Sequence, residues 1–242
     1  MQKIYVYISS LIFCMFACNA EAQTTKKKVK EIDNTPLFNG ISIQADAASL
    51  LSPVLFSGER YSYEAGLQVD LKHKYYPVFE LGYAGANKIS NNDIEFKTSG
   101  LFGRIGVDFN FIKPKKDAKP TTNLFLVGVR LGMSSSPYSI SNVKVTDNYW
   151  GGNETLNYPD QISSKVWFEV VAGIRVEVLK NFYMGWTVRN KNMLTQDATG
   201  AVAPWYVPGF GLNNGGNWGF NYNLGYKFQL QTKISTKIKT KK

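Results

Sequence analysis

Twelve ionisable residues stand at alternate positions of short segments. Asp46, Glu64, Asp70, Glu80, Asp108, Glu169 and Glu177 are acidic, and Arg104, Arg130, Arg175, Arg189 and Lys227 are basic. Opposed charges held on converging faces either pair with one another or line a path for ions, because an unpaired buried charge costs several kcal/mol. Acyl transfer or hydrolysis would need in addition a base that titrates near neutrality. His73 is the only histidine, and it stands in the short polar stretch 72–76, where a solvated turn residue is expected. No motif marks a Ser–Lys or carboxylate site. Asp147, Asp160 and Asp197 lack calcium-loop spacing, and Gly100, Gly103 and Gly106 precede no helix that could hold a phosphate. No catalytic set, metal site or cofactor is predicted.

The elements that must position these charges read as strands, because side chains on a strand point alternately to opposite faces. Eight segments alternate: GISIQADAA (40–48), YSYEAGLQVDL (61–71), PVFELGYAG (77–85), SGLFGRIGVDFNF (99–111), NLFLVGVRLGM (123–133), KVWFEVVAGIRVEV (165–178), FYMGWTVRN (182–190) and WGFNYNLGYKF (218–228). In the last, Trp218, Phe220, Tyr222, Leu224, Tyr226 and Phe228 share one face, and Gly219, Asn221, Asn223, Gly225 and Lys227 the other. Soluble strands run about 5–6 residues. A bilayer-crossing strand needs about 9–11, with an apolar outward face and aromatic ends.

The connections alternate as well. Strands two and three, and six and seven, are joined by short turns, whereas 134–163 and 191–217 read as long loops. Short turns on one side and long loops on the other are the habit of outer-membrane barrels. Phe79, Phe109, Phe111, Phe125, Phe182, Tyr226 and Phe228 then fall near the short turns, and Tyr61, Tyr63, Tyr83 and Trp218 near the long loops. These two groups are the expected aromatic girdles at the lipid–water boundaries.

The chain opens with a basic residue, Lys3, then the apolar run 4–17 and the small-residue stretch Ala20-Glu21-Ala22, so residues 1–22 are predicted to be a cleaved export signal. Met15-Phe16-Ala17-Cys18 is a rival lipidation site, weakened by the bulk of Phe16. Both cysteines, Cys14 and Cys18, lie in this signal, so no disulfide framework is expected in the exported chain. A polar basic leader (23–36) precedes the barrel (37–228), and a Lys-rich tail (229–242) follows it. These ends account for much of the formal net charge of +10.

The signal, the eight alternating strands, the unequal connections and the terminal NYNLGYKF resemble the small eight-stranded outer-membrane barrels, nearest to the uncharacterised barrel families of Gram-negative outer membranes. The resemblance implies an all-β, antiparallel up-and-down transmembrane barrel that is monomeric and surrounded by outer-membrane lipid, with both termini periplasmic. Departing from many such barrels, Phe228 is followed by fourteen more residues. Loops 134–163 and 191–217, rich in Tyr, Trp, Gly, Asn and Ser, are candidates for contact with an extracellular ligand. The Lys-rich ends are candidates for contact with anionic cell-wall polymer or lipid, and nucleic acid is not an expected partner. Eight strands enclose a bore that side chains just fill. The expectation is therefore a non-enzymatic structural or surface-recognition protein with a plugged lumen. A narrow channel for small solutes or ions, and a barrel enzyme acting on outer-leaflet lipid, are the alternatives.

Overall fold

Alternation along the chain becomes a ring in the computed structural model, which describes residues 36–55, 58–112, 123–147, 152–196 and 202–229. The export signal, most of the leader, all but the first residue of the Lys-rich tail and most of the Lys- and Pro-rich join after the fourth strand lie outside these residues.

The elements are β1 (Phe38–Asp46), α1 (Ala47–Leu50), α2 (Ser52–Leu55), β2 (Arg60–Leu71), β3 (Tyr75–Ile89), β4 (Glu95–Asn110), β5 (Leu124–Asp147), β6 (Gly152–Leu179), β7 (Phe182–Met193), β8 (Tyr206–Val207), β9 (Gly211–Leu212) and β10 (Gly216–Gln229). Eight of them close antiparallel in the order β1-β10-β7-β6-β5-β4-β3-β2. The seam is sealed by β1 against β10, with Ile43 opposite Tyr226. Closure leaves no free sheet edge within the ring, which answers the pairing hazard of an open sheet. The outward face is apolar: Leu67, Leu81, Ile105, Ile174, Trp186 and Phe220 are all exposed, and Trp218 reaches 76%. Polar and charged side chains fill the inward face, where Gln68, Glu80, Glu169 and Arg189 are buried.

The tight turns obey local chemistry. Between β2 and β3, Lys72 and His73 take left-handed backbone angles (φ 53° and 52°), and the Asp70 carboxylate accepts the His73 N–H at 2.9 Å. Between β6 and β7, Asn181 supplies the positive φ of 67° that asparagine tolerates better than most residues.

Several expected boundaries are corrected. The first segment ends at Asp46 instead of Ala48, because the Asp46 carboxylate caps α1 by accepting the Ala48 N–H at 3.0 Å. Most of the expected loop 134–163 is strand: β5 and β6 continue as a paired hairpin to Asp147 and Gly152, with register shifts between Tyr138 and Val143. Its residues are polar because this part of the hairpin no longer has to present an apolar face. The expected loop 191–217 is partly strand too, and it contains the small β8–β9 hairpin, in which Tyr206 pairs with Leu212.

A charged cluster across the lumen

Strand register brings the inward charges together. Glu80 on β3 stands opposite Arg104 on β4, and Arg130 on β5 opposite Glu169 on β6. The long arginine side chains then reach past their immediate neighbours. Arg104 Nη1 lies 2.7 Å from Glu64, and its Nε lies 2.8 Å from Glu169. Two nitrogens of Arg130 each lie 2.8 Å from an oxygen of Asp108, a two-pronged pairing that guanidinium geometry favours. Arg189 donates to Glu80, Glu64 and Glu169, and its Nε donates to Asn221 at 2.7 Å.

The cluster continues through amides and rings. Gln68 donates to Asp108 at 2.8 Å and accepts from Arg175, whose guanidinium also lies 4.0 Å over the Tyr183 ring. The Trp167 indole donates to Glu169 at 2.6 Å. Within the cluster Arg104, Arg130, Arg175 and Arg189 match Glu64, Glu80, Asp108 and Glu169 in number, so the buried charge balances. Balance of this kind is what lets so many ions leave water. A cavity of about 30 Å³ beneath it, near Gln68 and Arg175, has space for about one water.

Room for the large side chains comes from glycine. A Cβ on Gly132 would stand 2.3 Å from the Trp167 ring, and one on Gly82 would stand 2.2 Å from Phe102.

Above the charges sits a segment that periodicity does not reveal. Val207-Pro208-Gly209-Phe210 closes a turn, with Phe210 N–H donating to the Val207 carbonyl at 3.1 Å and Gly209 at φ 79°. Proline followed by glycine suits such a turn, and that pair was the legible signal. Val207 and Phe210 pack with Ala84, Phe102 and Trp167 in a buried apolar cluster. Arg104 and Lys191 each donate to the Gly209 carbonyl at 2.8 Å. Tyr206 is buried, which pushes its phenol pKa up. Trp205 is held between Arg60 at 4.7 Å and Lys88 at 5.0 Å, over the edge of Phe96.

The sequence of this barrel matches the family model described as a domain of unknown function (DUF6048) over residues 3–233. The chain belongs to that family. A comparison with curated proteins finds no match. Among solved structures, this DUF6048 barrel is similar to the N-terminal β-barrel domain of OprF from Pseudomonas aeruginosa, at 13% identity over 78% of this chain and 98% of that one, TM-score 0.35. It is also similar to Ail, the attachment invasion locus protein of Yersinia pestis, solved with the heparin analogue sucrose octasulfate, at 10% identity over 79% of this chain and 98% of that one, TM-score 0.38.

The remaining charges of the DUF6048 chain stand apart from the central cluster. Asp46 reaches it through Asn221, which donates to Asp46 at 2.6 Å. Asp70 pairs with Lys227 at 2.5 Å and with His73 at 2.7 Å, beside the short turn. Glu177 accepts the Asn181 N–H at 2.6 Å in the β6–β7 turn. Lys191, read from sequence as the start of a loop, instead lies near the end of β7, which runs to Met193, and stands opposite Glu169 in register. The aromatics gather in groups: Tyr61 with Tyr63 and Tyr83 at one end, Tyr75 with Phe109, Phe111 with Phe125, and Tyr226 with Phe228 at the other. Trp186, against Phe220 and Tyr222, forms a further group outside the expected girdles.

Proposed function

We propose that the chain is a non-enzymatic barrel of the Gram-negative outer membrane, structural or surface-presenting in role, whose lumen is closed by its own side chains. The supporting observation is the neutral cluster of Arg104, Arg130, Arg175 and Arg189 with four carboxylates, overlaid by Val207–Phe210. Opposed side chains in hydrogen-bond contact leave ions no wide aqueous route. The apolar exterior supports a lipid surround, since monomeric soluble proteins rarely expose contiguous apolar patches beyond a few hundred Å². In this reading the short turns and both termini face the periplasm, the β5–β6 hairpin and β8–β9 face outward, and the barrel works as a monomer.

His73 fits a turn-stabilising role. It stands at the short-turn end with Asp70 and Lys227, away from the outer mouth. Planar-bilayer recording of the refolded chain tests the reading: near-zero conductance is expected, and steady ion-selective current would replace the plug with a channel.

A further inference from the structure

The wall is one strand short along part of its seam. β1 pairs with β2 only as far as Ala45 with Ala65, and with β10 only as far as Asp46 with Asn223. Its neighbours run on: β2 extends back to Arg60 against β3, and β10 to Gly216 against β7. The Asp46 carboxylate accepts the Tyr222 N–H at 3.0 Å, and beyond it the facing edges of β2 and β10 have no strand between them among the described residues. Neighbouring strands lie about 4.8 Å apart, so a missing strand leaves about 10 Å between backbones.

The two short helices occupy that place without joining the ladder. α1 rests against both β10 and β2, and α2 against β2. Ala48 and Ser49 bond to Asp46, Leu51 to Ala48, Val54 to Leu51 and Gly58 to Pro53. Among the described residues these bonds tie the segment to itself and to the end of β1, and none crosses to β2 or β10. Ala48 and Ser49 line a cavity of about 410 Å³, while Leu50, Leu51 and Val54 are exposed. The rest of the lining includes Ser62, Glu64, Gly219 and Asn221 from the inward face of the wall and Tyr61 and Phe220 from the outward face. A cavity bounded by both faces of a sheet passes through it.

We infer that this gap is a side opening toward the membrane, covered by α1 and α2, through which the polar head of a lipid enters the mouth cavity while its chains stay against the outer wall. Trp218 and Tyr63, exposed on the strands that flank the gap, mark the level at which headgroups lie. From Phe220 outside to Lys191 within, the passage runs from apolar to polar, the order of a lipid's own parts. Arg60 and Lys191 are accompanied by Asp46 and Glu64, so the cavity selects polarity instead of one sign of charge. Leu50, Leu51 and Val54 then lie against lipid, continuing the apolar exterior over the cover. The inference rests on the proposed lipid surround.

Photolabelling of the full chain in phosphatidylcholine vesicles, with a diazirine carried on the lipid head and adducts mapped by mass spectrometry, tests the two separately. Adducts are expected on Trp218 and Tyr63 outside and on Ser62 and Lys191 inside. Gly219→Phe fills the cavity from the wall, where a Cβ would first meet the flexible Lys191 side chain at 3.1 Å. Ala48→Trp fills it from the cover, outside the strand ladder. Each should remove the inner adducts, keep the outer ones and leave far-UV circular dichroism unchanged. Outer adducts without inner ones would overturn the opening and leave the lipid surround standing, whereas loss of both kinds in the unmodified chain would overturn the surround and the opening with it. Inner adducts that persist in a folded, filled variant would also overturn the opening.

Discussion

Arg189 donates to Glu80 from both terminal nitrogens, at 2.6 and 3.1 Å. The two residues sit on β7 and β3, which are four strands apart whichever way the ring is followed. The bond is therefore a diameter. Arg175 on β6 and Gln68 on β2 form a second, again between strands four apart.

Removing one end of the first diameter should be costly. Arg189→Met leaves Glu80 and Glu64 short of positive charge in a buried site, so a loss of about 3–5 kcal/mol is expected. Denaturant titration in lipid vesicles measures it. Arg189→Met with Glu80→Leu should lose less than the two single changes summed, since the pair then leaves together.

Conductance should need two breaches. Phe210→Ala loosens the apolar cluster above the charges yet leaves Arg189 and Glu80 joined, so single-channel current should stay near baseline. Phe210→Ala combined with Arg189→Ala and Glu80→Ala should pass measurable current. High current from Phe210→Ala alone would mean that the upper cluster is the sole barrier.

The two faces of the wall should respond to different insults. Ile174, 55% exposed on the outer face, should cost about 2–4 kcal/mol when changed to Arg, and so should Val127 and Leu224. Gly128 on the inner face should fail by crowding instead, since a Cβ there would meet Asp108 at 2.1 Å. Refolding yield and stability in vesicles compare them, and equal tolerance of Arg on both faces would contradict a lipid surround.

Gly132→Val should overpack the lumen beside Trp167. A destabilisation of about 1–3 kcal/mol or more is expected, accompanied by a shift in tryptophan fluorescence as the indole moves off Glu169.

Orientation is tested separately. An epitope inserted between Asp147 and Gly152 should be labelled on intact cells, while one after Lys242 should be labelled only after the outer membrane is opened. The reverse pattern would invert the barrel.

Strand number and facing were legible because a lipid-facing wall forces a period of two, so Ile41, Leu67, Ile105 and Val188 alternate with polar neighbours over long runs. Strand ends were not. Beyond Met133 the chain reads SSSPYSISNVKVTD, where pairing between β5 and β6 continues without an apolar face to announce it. The contacts of the charged face were only partly legible as well. Alternation places Asp46, Asp70 and Glu177 on the same side as Glu80, but height along the strand decides which of them meet, and a helix cap and two turns claim these three. The Val207–Phe210 turn obeys no period, since it is buried by insertion instead of by lying in the wall.

The β5–β6 hairpin is a mast. β5 has 24 residues and β6 has 28, whereas a bilayer needs about 9–11. Even the shorter strand therefore leaves about fourteen residues, near 46 Å of chain at about 3.3 Å each. If all of them lie on the outward side, leaning at the usual tilt of about 45°, they carry the last paired residues roughly 30 Å clear of the hydrocarbon. In the proposed outward orientation, the pair Asp147 and Gly152 is thus held above the headgroup layer on paired backbone.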